Sequence, residues 1–394
     1  RSPMETQKKQ FLFYKGQKDQ ANYSDRFQEN KLHYVYFDSF STELGFDIHN
    51  FRIAYRVFGT PNEKRDNIIL VFHALTGDCN CSGYTDADGY KPGWWEPLFS
   101  PGKIFDLTKY CIICPNHPGG CYGSIGPTDQ LVGASSPIGP DFPLLTVRDI
   151  ASAHQQLLQK LNISQLHCVI GGSFGGMVVS EFIINFPDIA QNSVMIAAPI
   201  AHSAQALAMN HIQRKCIEND PNYKGGSYYH GPLPNKGLSL ARQIGMITYR
   251  NPAEFDSRFG RNPQNVNTEK ETYFKIQSYL DHQGQKLLNR FDANSYIKLT
   301  YTMDEHDISQ GNMDFNKPIR KIKSNLLLIA IDSDMLYPPH EIQSIKKFCL
   351  KNGVKAKYAS IRSINGHDGF LIEHDQLNEI VSQFFTKLSN QKAS

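Results

Sequence analysis

From residue 51 onward, short apolar runs rich in β-branched side chains alternate with stretches whose apolar positions recur every three or four residues. The runs at 51–58, 67–72, 110–114, 166–170, 193–197, 325–331 and 357–361 read as strands. Several are apolar throughout, as expected of strands covered on both faces. Between 145 and 162 the period changes: Ile150, Ala153, His154, Leu157, Leu158 and Leu161 share one helical face, and Thr146 with Asp149 three residues later is a helix-start signal. Further helices are expected at about 339–350 and 375–388. Such alternation builds an α/β fold, a mostly parallel sheet flanked by helices.

Residues 201–316 break the alternation and are richer in Tyr, Asn, Gln and Arg. A segment of that length does not stay structureless inside a compact domain, so it is expected to be a helical lid domain. The chain then divides into a discontinuous core, 31–200 with 317–390, the lid at 201–316, and an N-terminal extension, 1–30.

Composition narrows the function classes. The 41 basic and 38 acidic residues leave a net charge of +3 and are interspersed, which argues against a nucleic-acid or membrane-surface partner. No apolar run approaches a membrane span, and the first thirty residues are polar, so a cytoplasmic setting is expected. Arg1-Ser2-Pro3 ahead of Met4 has the look of a cloning remnant. Among the eight cysteines, Cys111-x-x-Cys114 resembles half of a zinc site, but the other half is missing. Three residues apart on a strand, the two thiols point to opposite faces, so reduced, buried thiols and no metal are expected.

The chemistry centres on Gly171-Gly172-Ser173-Phe174-Gly175, which follows one apolar strand and opens a helix. So sharp a turn strains its apex residue and brings the positions two before and two after into collision, unless both are glycine. The serine oxygen is then lifted to the sheet edge, above a helix N-terminus that favours a developing anion. Neither nucleotide-binding glycine pattern fits this spacing. A serine hydroxyl needs a base, and the base an orienting carboxylate. In the α/β-hydrolase fold these follow in the order Ser, acid, His. Asp332 and Asp334 both sit at the end of the 325–331 strand, and spacing does not separate them. His367, in the glycine-flanked loop after the 357–361 strand, is the candidate base; His202, His211, His340 and His374 read as surface or lid residues. The backbone N–H groups of Phe174 and of Leu75, in His73-Ala74-Leu75-Thr76-Gly77, are the candidate oxyanion donors.

Taken together, His73 to Gly77, Gly93-Trp94-Trp95, Gly119 to Ser124, Gly171 to Met177, Ile247-Thr248-Tyr249-Arg250, Arg290 to Tyr296 and Gly366-His367-Asp368 resemble the homoserine O-acetyltransferase family over about residues 34–385. The resemblance implies a Ser173, Asp334, His367 triad, because Ser333-Asp334-Met335-Leu336-Tyr337-Pro338 matches the family's acid segment. It also implies that Arg250 meets the acceptor's carboxylate and Asp368 its ammonium, that acetyl-CoA is a co-substrate with no tightly bound cofactor, and that two subunits pair through the lid. Asn116-His117-Pro118, Asn251 and the loop at 133–140 depart from the usual pattern. Transfer of succinyl in place of acetyl, transfer to serine, and hydrolysis by the same triad stay open as alternatives.

Overall fold

The computed structural model describes residues 8–15, 26–265 and 270–393. Residues 1–3 ahead of Met4, and part of the expected 1–30 extension, lie outside the described residues. Among these, nine strands form the main sheet: β1 (Lys9–Leu12), β2 (His33–Ser41), β3 (Phe46–Phe58), β4 (Ile68–Phe72), β5 (Cys111–Pro115), β6 (Leu166–Gly172), β7 (Ala190–Ile196), β8 (Asn325–Ile331) and β9 (Ala356–Ile361). They lie in the order β2-β3-β5-β4-β6-β7-β8-β9, with β1 paired in parallel to residues 46–49 of β3. From β5 to β9 every neighbour is parallel, while β3 runs antiparallel to both β2 and β5.

Two of these strands, β1 and β2, were not anticipated. The β2 pattern alternates between buried and half-exposed positions, but Tyr34 and Tyr36 are aromatic on the outer face and blur the period. In the parallel centre, alternation divides apolar residues between two cores. Ile68, Leu70 and Phe72 enter one and Ile69 and Val71 the other. Cys111 and Cys114 likewise fall in different cores, as their spacing requires, and both are free thiols. Each fully buried aliphatic side chain contributes about 1.5–3 kcal/mol, so this two-sided sheet is the stable floor on which the loops stand.

The helices flanking the sheet are α1 (Val147–Lys160), α2 (Phe174–Asn185), α8 (Pro339–Lys351) and α9 (His374–Ala393), and the segment between β7 and β8 carries α3 (Ala204–Glu218), α4 (Asn235–Tyr249), α5 (Pro252–Arg258), α6 (Lys275–Leu288) and α7 (Ala293–Asp304). The start of α1 is a capping box: Thr146 Oγ1 accepts from Asp149 N–H at 3.1 Å and Asp149 accepts from Thr146 N–H at 3.0 Å. Arg148 on α1 then holds the buried Glu181 of α2 at 2.9 Å, locking the two helices that frame the central strands. In the insertion, α4 packs between α3 and α6. The connection from α6 to α7 grips the core directly, since Arg290 donates to Thr76 O at 2.6 Å and to Tyr122 Oη at 3.0 Å. No helix is long and apolar enough to cross a membrane among the described residues.

Candidate active site

The C-terminal ends of β4, β6, β8 and β9 all open on one edge of the sheet, where ligands gather in parallel α/β sheets. Ser173 stands there between β6 and α2 with φ 56° and ψ −124°, a conformation rarely adopted by a residue with a side chain. Its neighbours explain how the strain is tolerated. A Cβ on Gly171 would sit 2.5 Å from the Gly175 carbonyl, and one on Gly175 would sit 2.2 Å from Phe72 O. Only glycine at both positions lets the turn close and the elbow lie against the end of β4.

Ser173 is 7% exposed, His367 2% and Asp334 3%. His367 Nε2 lies 2.7 Å from Ser173 Oγ, and its Nδ1 lies 2.7 Å from Asp334 Oδ2. A carboxylate only accepts, so Nδ1 carries the hydrogen and Nε2 is left to receive the serine proton. The other Asp334 oxygen accepts from the Leu336 and Tyr337 N–H groups, each at 2.9 Å, which fixes the carboxylate's orientation. Burial disfavours the imidazolium, but the charge and hydrogen bond of Asp334 outweigh it, and the His367 pKa stands above its ordinary value. The geometry separates the two acids: Asp332 is exposed and accepts from Ser363 N–H at 2.9 Å, bracing the histidine loop from outside.

A cavity opens above Ser173, lined by Leu75, Arg242, Tyr249, Tyr337, His367 and Asp368 among others. Leu75 lies in the loop after β4, and Phe174 opens α2 directly after the serine, so both candidate oxyanion donors flank Ser173.

Arg250, the residue expected to meet an acceptor carboxylate, sits at the C-terminal cap of α4 with Nε 3.1 Å from Asp368 and Nη1 3.6 Å from Glu254, beside the cavity lining rather than in it. Both are ion-pair contacts, and Nε makes no hydrogen bond in this arrangement. The guanidinium that does face the cavity is Arg242, one helix-repeat before Tyr249 and on the same side of α4. It reaches Thr76 Oγ1 at 3.5 Å and lies 5.7 Å from the Tyr249 ring, and among the described residues it forms no ion pair. Asp368 does line the cavity, with burial raising its pKa and Arg250, His367 and Arg242 opposing that rise.

His202, read as a surface or lid residue, lies in the 201–316 segment but is not on the surface. Its side chain is 1% exposed, and Nε2 lies 2.8 Å from Tyr337 Oη while Nδ1 lies 3.4 Å from Asp304. It thus ties the insertion to the segment behind Asp334. His340 and His211 are exposed and His374 is half-buried. No group of His, Cys, Asp and Glu arranged to hold a metal ion occurs among the described residues.

A family model for the alpha/beta hydrolase fold matches residues 67–371. The homoserine O-acetyltransferase of Moorella thermoacetica is 41% identical over 348 residues, covering 88% of this chain and 93% of that protein. The crystal structure of a homoserine O-acetyltransferase from Bacillus anthracis superposes with a TM-score of 0.85 at 24% identity, over 91% of this chain and 98% of the other. A solved esterase superposes nearly as well, with a TM-score of 0.83 at 22% identity, over 90% and 99%. Likeness at those identities speaks for the fold, which transferase and esterase share.

Proposed function

The chain belongs to the homoserine O-acetyltransferase family, and from that premise we propose that Ser173, His367 and Asp334 carry an acetyl group from acetyl-CoA to the hydroxyl of L-homoserine by way of an acetyl-serine. The observation that carries this reading is the unbroken relay from Ser173 Oγ through both nitrogens of His367 to Asp334.

In the first half-reaction His367 Nε2 takes the serine proton as Oγ attacks the thioester carbonyl. Asp334 stabilises the imidazolium that forms, and the Leu75 and Phe174 N–H groups hold the oxyanion. His367 returns the proton to the departing coenzyme A sulfur. In the second half-reaction the acceptor hydroxyl gives its proton to the same nitrogen and attacks the acetyl-serine, and His367 protonates Ser173 Oγ as the ester product leaves. Arg242 receives the amino acid's carboxylate and Asp368, held in place by Arg250, receives its ammonium. A zwitterion needs one fixed charge of each sign, and both face the cavity.

The same reading makes residues 201–316 a lid domain that keeps water from the acetyl-serine, which separates transfer from hydrolysis. It also makes that domain the pairing surface of a dimer. Exposed Leu207 and Ile212 on α3, with Leu240 and Ile247 on α4, support this, and a monomer in light scattering would remove it. A cytoplasmic setting goes with an acyl-CoA substrate. Incubation with acetyl-CoA alone, followed by peptide mass spectrometry, should place acetyl on Ser173, and Ser173→Ala should carry none. Coenzyme A release should rise sharply on adding homoserine; equal release with and without it would favour an esterase. Acetyl-, propionyl- and succinyl-CoA tested against homoserine and serine fix the donor and acceptor.

A further inference from the structure

Behind the loop that carries Leu75, three histidines outside the relay form a chain of hydrogen bonds in the interior. His73, His117 and His154 are 2%, 1% and 0% exposed. Their partners fix the tautomer of each. His73 Nδ1 lies 2.7 Å from Ala74 O, a carbonyl that only accepts, so Nδ1 carries the hydrogen. Nε2 of His73 is then a bare acceptor, and it receives the His117 backbone N–H at 3.1 Å and the Asn116 side-chain amide at 3.1 Å. His117 Nε2 lies 2.9 Å from His73 O and must donate. Its Nδ1 is therefore bare and takes the hydrogen of His154 Nε2 at 2.8 Å. The chain ends at His154 Nδ1, which has no partner.

Every donor in the chain meets an acceptor only when all three rings are neutral. A proton added to His73 Nε2 or His117 Nδ1 would bring two N–H groups face to face. Burial works in the same direction, holding His73 at about 4, His154 at about 3 and His117 well below the ordinary histidine value. This is scaffold chemistry, the reverse of what a general base needs.

What the chain holds in place is specific. His117 clamps residue 73 from two sides, its backbone N–H on the ring and its own ring on the carbonyl. Two residues further on is Leu75. The His117 ring also meets the Phe174 ring edge-on, with centroids 5.2 Å apart. One imidazole thus touches the carbonyl two residues before Leu75 and the side chain of Phe174.

We propose that His117, with its tautomer set by His154, is a positioning residue for acyl transfer that holds the Leu75 and Phe174 N–H groups at the spacing the oxyanion requires. The proposal rests on the acetyl-serine reading given above. It predicts an effect on turnover rather than on substrate binding, because neither imidazole of the pair lines the cavity.

The test compares the full-length protein with His117→Phe and His117→Gln. Phenylalanine keeps the ring against Phe174 but gives His73 O no donor and His154 no acceptor. Glutamine places an amide N–H near the position of Nε2. His117→Phe should lower kcat by about tenfold, a fraction of what losing an oxyanion donor outright costs. Both KM values should stay within about twofold, and His117→Gln should recover most of the loss. A kcat for His117→Phe within about twofold of the unsubstituted protein overturns the proposal, as does a loss carried in KM or a glutamine variant as slow as the phenylalanine one. Should His117→Phe fail to fold, nitrogen-15 NMR of the histidine-labelled unsubstituted protein decides. A hydrogen on Nε2 of His117 and His154 and on Nδ1 of His73 supports it, and a hydrogen on Nδ1 of His117 overturns it. Acetylation of Ser173 in the unsubstituted protein is scored separately, so its absence sinks the acetyl-serine reading and its presence beside an unaffected His117→Phe sinks only the positioning role.

Discussion

The core holds two buried histidine sites, His367 beside Ser173 and His73 at the base of the Leu75 loop, and the partner on Nδ1 is a carboxylate in one and a carbonyl in the other. His367 and His73 are equally secluded at 2% exposure, and desolvation disfavours the charged ring in both. On one side Asp334 sits behind the ring and the pKa rises; on the other the rings lean on carbonyls and on one another, and the pKa values fall. Depth of burial therefore does not decide whether a histidine can take a proton. A carboxylate placed on the nitrogen opposite the reacting one does.

The most severe way to break that contrast is Asp334→Asn, which gives His367 the same kind of neutral neighbour that its counterparts have. Turnover should fall by about 10,000-fold, the scale seen when a triad acid loses its charge, with the loss appearing in the rapid-quench rate of Ser173 acetylation. The arginines divide in the same manner, one facing the cavity and one ion-paired with Asp368 and Glu254. Arg242→Met should raise the KM for homoserine by about 10- to 100-fold, the worth of a charged hydrogen bond, while acetylation in the absence of acceptor is unchanged. Arg250→Met should act chiefly on the fold, costing about 3 kcal/mol in urea unfolding because it takes the ion-pair partner from the half-buried Asp368 and leaves the buried Glu254 with Arg258 alone. Equal KM effects from the two variants would erase the distinction.

Acid should sharpen the comparison most gently. A histidine whose folded pKa is depressed is protonated more readily in the unfolded chain, so its stabilising effect is full above about 6.5 and declines as pH falls toward the folded value. His73 and His306 at about 4, His154 at about 3 and His167 at about 4 all act in this direction. Asp149 at about 6 and Glu341 at about 7 oppose it, since the folded state holds their protons more tightly. The melting temperature should drop between pH 6.5 and 4, as histidines outnumber the opposing carboxylates. His367 has the reverse sign: its contribution is present below about 6.5 and fades as pH rises through its folded pKa, so the acid limb of kcat/KM should lie above pH 6.5. A flat melting profile or a limb below 6.5 contradicts this account.

The features legible in the sequence were those written in neighbouring residues. Central strands read as apolar runs, the α1 start read from Thr146 and Asp149, and the glycines around Ser173 implied a turn whose backbone does come within 2.2–2.5 Å of where a side chain would begin. What stayed hidden depends on partners far away in the chain. The two arginines are eight residues apart on the same segment, but α4 ends between them: Arg242 remains on the face shared with Tyr249, whereas the extended backbone at Arg250, with ψ 173°, turns it toward Asp368. His202 reads as a lid residue because Tyr337, its partner, is 135 positions distant. The pairing of His117 with His154 joins a loop to α1 and has no local signature. Strand β1 is too short and too polar in its flanks to announce itself, and only its register against β3 defines it.

Gly366 stands where the histidine loop meets the end of α4. With φ +68°, it brings the histidine loop so near the end of α4 that a Cβ would lie 2.9 Å from the Arg250 carbonyl carbon, and its N–H is received by Ser333 Oγ at 2.9 Å. The inserted helices are therefore mortised to the loop that bears the imidazole instead of hanging over it on free linkers. Remodelling acceptor preference along α4 will drag turnover with it, so an engineer or an evolving lineage finds freer ground at Met209 and Met303, which reach the cavity from α3 and α7.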